Sequence, residues 1–62
     1  MCGFITNSGT VYYVDSVNKL FSGGKFKNPV QYTSLSAIIG SKATIVLTDK
    51  RVVTTSTVMR YF

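Results

Sequence analysis

Residues 42–62 read KATIVLTDKRVVTTSTVMRYF, and this stretch decides the fold. β-Branched and aromatic side chains dominate it, it contains no Gly or Pro, and its one strongly polar interruption, Asp49-Lys50, falls where a chain reversal is needed. The pattern predicts a long C-terminal β-hairpin. On its first arm Ala43, Ile45 and Leu47 share one face and Thr44, Val46 and Thr48 the other. On the return arm Val52, Thr54, Ser56 and Val58 stand against Val53, Thr55, Thr57 and Met59, and both sets mix apolar with hydroxyl side chains. The buried face of the return arm therefore stays open at this level. A lone hairpin is marginal in water, so the upstream residues must supply partner strands.

Those strands are readable in turn. Residues 2–6 (CGFIT) and 10–15 (TVYYVD) flank Asn7-Ser8-Gly9, a turn signal because Asn and Gly tolerate positive φ, and together they predict an N-terminal hairpin. In its second arm Val11 and Tyr13 point one way and Tyr12 and Val14 the other, so one face can be covered while the other offers an aromatic ring. Asp15-Ser16-Val17-Asn18 reads as an Asx-type turn leading to a short strand at residues 19–22, with one helical turn capped by Asp15 as the alternative. Residues 22–29 (SGGKFKNP) read as a loop. There Lys25-Phe26-Lys27 is either a mobile basic finger, with Phe26 stacking on a base, or a connector whose Phe26 tucks into the core. Residues 30–36 alternate irregularly but fit a strand, and Gly40 marks a turn or bulge before the long hairpin.

Five to six short strands at this spacing imply one all-β domain over residues 1–62, a small curled antiparallel sheet or an SH3-like or OB-like barrel. A chain of 62 residues has room for one domain, and at 45% hydrophobic residues it is too apolar for a disordered tail. The Thr- and Val-rich return arm is poor in charge, which makes it a candidate for pairing with a second copy or an extended peptide; a homo-oligomer is expected.

Function classes narrow by subtraction. The chain has no His, Glu or Trp, and only Asp15 and Asp49 carry carboxylates. Cys2 has no His to activate it, no phosphate-binding glycine motif or CxxC occurs, and a zinc site lacks ligands, so neither catalysis nor a metal or other cofactor is expected. The single cysteine cannot close an internal disulfide, no apolar run reaches the roughly 18 residues of a spanning helix, and no signal peptide is evident. A cytoplasmic, non-membrane protein is expected. Seven Lys and Arg against two Asp give a net charge of +5, which favours polyanionic or acidic partners. The candidate binding residues are Tyr12, Lys25, Phe26, Lys27, Tyr32, Lys50, Arg51 and Arg60, rings and cations of the kind that hold single-stranded nucleic acid.

The NSGTVYYVD run at residues 7–15, the Ile-Gly-x(4)-Ile-Val-Leu run at residues 39–47 and the Thr-Thr-Ser-Thr-Val end at residues 54–58 give a whole-chain pattern. It resembles that of small β proteins encoded by tailed bacteriophages. The resemblance carries no functional residue across. It implies a setting, that of a non-enzymatic accessory protein binding and modulating or inhibiting a host protein or defence component. The alternative is a basic β-barrel that binds nucleic acid or a nucleotide.

Overall fold

A computed structural model describes residues 3–62; the expectations for Cys2 lie outside them. Six strands, β1 (Gly3–Thr6), β2 (Val11–Asp15), β3 (Leu20–Gly23), β4 (Phe26–Ser36), β5 (Lys42–Leu47) and β6 (Val52–Tyr61), follow one another in sequence order. Every neighbouring pair is antiparallel, and β6 returns to β1, closing an all-β barrel. The long C-terminal hairpin is β5–β6, its reversal at Asp49-Lys50, with Lys50 in the left-handed region at φ 72°.

The core is filled from inward-facing alternate positions of all six strands. Phe4, Val14, Phe21, Tyr32, Ala43, Ile45, Leu47 and Val58 are buried, and Ala43, Ile45 and Leu47 form the inner face of β5 as their spacing predicts. Tyr12 lies between Phe4 on one neighbouring strand and Phe21 on the other, with ring centroids 5.1 and 5.3 Å away, and Phe26 meets Phe21 edge-on at 5.8 Å. Tyr13 points outward, 56% exposed, against the edge of Phe62.

Two bulges explain the strands whose alternation is irregular. In β4 the register shifts between Tyr32 and Ser34, so the inward positions change from Val30 and Tyr32 to Leu35. In β6 it shifts opposite the Lys42–Thr44 segment, so inward Val53 and Thr55 give way to Val58. A threonine stands in for the disrupted ladder at each place. Thr33 Oγ1 donates to the Val46 carbonyl at 3.2 Å, and the Ala43 N–H donates to Thr55 Oγ1 at 3.2 Å.

Two expectations need correction, and one alternative falls away in favour of the expected Asx-type turn. Residues 22–29 are not a loop: β3 runs to Gly23, Gly24-Lys25 makes a two-residue reversal with Gly24 in the left-handed region at φ 55°, and β4 begins at Phe26, which pairs with Gly23. No helical turn follows Asp15. Its carboxylate accepts the Val17 and Asn18 N–H groups and the Asn18 side-chain amide, which satisfies a reversing turn instead. Tyr32, expected to be free to stack, is buried at 6% exposure because its position in β4 faces inward opposite Leu47.

Candidate functional site

The barrel seam is incomplete. Among the described residues β6 pairs with β1 only from Val58 to Tyr61, with two further bonds flanking that stretch, the Asn7 N–H to the Thr57 carbonyl at 2.9 Å and the Phe62 N–H to the Gly3 carbonyl at 3.1 Å. Among the described residues, residues 52–54 have register partners on β5 alone, and Thr55 and Ser56, at the bulge, have none on either side. The β1–β2 and β3–β4 reversals stand across from that half-strand, and between them lies a groove of about 540 Å³. Tyr12, Phe26 and Val53 give it an apolar side, Ser8 and Thr10 line its hydroxyl rim, and Lys25 supplies a cation. A second, shallower depression of about 480 Å³ shares residues 54–56 as its wall and continues to Asn7 and Lys42.

Local chemistry positions each wall. Thr6, Ser8 and Thr10 form a hydroxyl chain across the first reversal, Thr6 Oγ1 to Ser8 Oγ at 2.8 Å and Ser8 Oγ to Thr10 Oγ1 at 3.2 Å. Gly24 lets the second reversal sit against Tyr12: a Cβ there would lie 3.1 Å from the Tyr12 hydroxyl oxygen. The Lys25 ammonium rests 5.8 Å from the Phe26 ring centroid.

The direction of the free backbone groups follows from the ladder. The Leu47 N–H donates to the Arg51 carbonyl at 2.8 Å, and Ile45 opposes Val53 in the same register. Antiparallel pairs alternate between bonded and non-bonded, so Val53 bonds to β5 while Val52 and Thr54 turn their N–H and C=O groups toward the groove.

Tyr12, Lys25 and Phe26, three of the sequence-derived candidates, come together here. Lys50 and Arg51 immediately precede Val52 at one end of the half-strand; Arg51 Nε pairs with Asp49 at 2.6 Å, in the open. Lys27 is exposed on β4 just past the groove, and Arg60 sits on the closed seam opposite Ile5, away from it. Tyr32 is excluded by burial. The sequence reading missed Ser8 and Thr10; it did read the run from Val52 to Val58 as an edge from its low charge, and of that run Val58 is closed against Thr6 while Val52 and Thr54 keep a free side.

Neither carboxylate lines the groove or its extension. Asp15 is held below its ordinary value by the Asn18 side-chain and backbone N–H groups, and Asp49 by the Arg51 backbone N–H and guanidinium. Among the described residues no three His, Cys, Asp or Glu side chains come together, and no helix is long and apolar enough to cross a membrane. Comparison of the chain with known protein families, curated proteins and solved structures finds no match.

Proposed function

We propose that this chain is a non-enzymatic binding module that modulates or inhibits a protein partner through the groove beside residues 52–56. The observation that carries the reading is the half-strand paired on one side only, bordered by a groove with lysines and no carboxylate. Its phage-like sequence pattern supports a host protein or defence component as the target, met in the host cytoplasm.

A second reading, single-stranded nucleic acid in the same groove, draws on Lys25 and Lys42. The rings weigh against it. Tyr12 has a stacked neighbour on each adjoining strand, Tyr32 is buried, and Phe26 already meets Phe21 and Lys25, so stacking platforms are scarce.

The test is capture from a bacterial lysate by the wild-type chain, by Lys25→Glu and by Arg60→Glu, whose charge lies outside the groove. A protein partner held by the wild type and by Arg60→Glu but lost with Lys25→Glu is the expected result. Equal capture by all three would place the partner elsewhere on the surface and defeat the reading, and capture abolished by nuclease would favour nucleic acid.

A further inference from the structure

We infer that the groove takes an acidic, extended peptide segment of the partner, which adds as a strand to residues 52–56. The inference rests on the binding-module reading and names the chemistry of what is bound. Val52 and Thr54 each present an N–H donor and a C=O acceptor on the side away from β5, spaced two residues apart, which is the repeat of one face of an antiparallel ladder. Neither position has a register partner on that side among the described residues. Thr57, on the same side further along, is already bonded to Asn7, so the acceptor edge ends there and holds about four residues of guest strand.

Charge selects the guest. Lys25 stands across the groove, Lys42 lines its extension and Lys50 leads into its open end, where Arg51 is paired with Asp49; Asp15 is engaged in its own turn. Carboxylate side chains on a guest strand would meet opposite charge along its length, and a lysine-rich strand would meet like charge. Phe26 and Val53 offer an apolar surface to guest side chains of the opposite face, so alternation of acidic with aliphatic residues is the matching pattern.

The test uses a random heptapeptide library selected on the full chain, followed by amide hydrogen exchange of the complex with the best binder. Enrichment of Asp and Glu alternating with aliphatic residues is expected, together with slowing of the Val52 and Thr54 N–H exchange by about tenfold or more. N-methylation of the peptide at alternate residues should abolish both binding and protection. Absent or lysine-rich enrichment, or a bound peptide that leaves these two amides unprotected, overturns the inference. So does protection in the free chain that rises with its own concentration, since a second copy would then occupy the edge, or protection produced by an oligothymidylate and not by any peptide. If Lys25→Glu abolishes lysate capture while the captured partner leaves Val52 and Thr54 exchanging freely, strand addition fails and the module reading stands; capture insensitive to Lys25 defeats that reading by itself.

Discussion

Thr55 shows how a single hydroxyl holds the groove wall in place. It is buried, its Oγ1 accepts the Ala43 N–H at 3.2 Å, and it donates to the Ser56 carbonyl at 2.8 Å, so one side chain replaces a ladder bond at the bulge. Thr55→Val keeps the shape and strands the Ala43 N–H beside a fully buried side chain. Urea unfolding should show a loss of about 1–3 kcal/mol, with Thr55→Ser recovering most of it. Asp15 makes a different prediction. Its folded-state pKa is lowered, so its contribution is fully present above the ordinary value of 3.8 and disappears as pH falls through the lower folded value. Thermal melts of Asp15→Asn, which keeps an acceptor and removes the titration, should therefore differ from wild type most near neutrality and converge with it as pH falls below the lowered folded value. A difference that persists undiminished in acid would show that the carboxylate charge plays no part.

Among the elements, the β3–β4 reversal depends sharply on residue identity. Gly23 has φ +117°, and a Cβ there would lie 2.3 Å from the Val11 carbonyl oxygen and 2.8 Å from the Tyr12 Cα, both backbone atoms that cannot rotate away. Gly9 also has positive φ, at +83°, but faces open space. Gly9→Ala should lose only the strain of the left-handed region, about 1 kcal/mol. Gly23→Ala adds an overpacking penalty of about 1–3 kcal/mol, and equal midpoints for the two variants in denaturant would refute the close approach. These contrasts also mark what was legible in the sequence. The hairpins at Asn7-Ser8-Gly9 and Asp49-Lys50 and the inner face of β5 follow from turn chemistry and period-two alternation. The bulges in β4 and β6 do not, because a bulge reverses the face after one residue and reads as a broken pattern. Tyr32 escaped for that reason, and Gly23-Gly24 suggested a loop because two glycines mark a wide connection and a tight one alike. The site was half legible: Tyr12, Lys25 and Phe26 were visible as ring and charge and the return arm as an edge by its low charge, whereas the point at which that edge closes, at Thr57 and Val58, is a property of strand tilt and register that no local motif encodes.

For the whole molecule, closure is the decisive step. The β2–β3 and β5–β6 hairpins pair residues close in sequence, but the seam brings Thr6 to Val58 and Phe4 to Tyr61, nearly the full chain apart. Loop-closure entropy for those contacts must be met before the seam contributes stability, so this small barrel should fold slowly for its length, on the order of milliseconds to seconds. The order of events follows from the same reasoning. Ile45 lies inside the local hairpin opposite Val53, whereas Val58 is fully buried at the seam opposite Thr6, with its backbone bonded to Gly40 and Ser41. If the hairpin forms in the transition state and the seam after it, Ile45→Val should mainly slow folding, whereas Val58→Ala should leave the folding rate nearly unchanged and speed unfolding. Each substitution should lower stability by about 0.5 kcal/mol or more, the larger loss falling on Val58→Ala because more buried volume is removed. Stopped-flow chevrons of the two variants read both limbs directly. A folding limb depressed by Val58→Ala and untouched by Ile45→Val would mean that closure comes first, and residues 52–56 would then be left unpaired by an early constraint on the barrel and not by the last strand to dock.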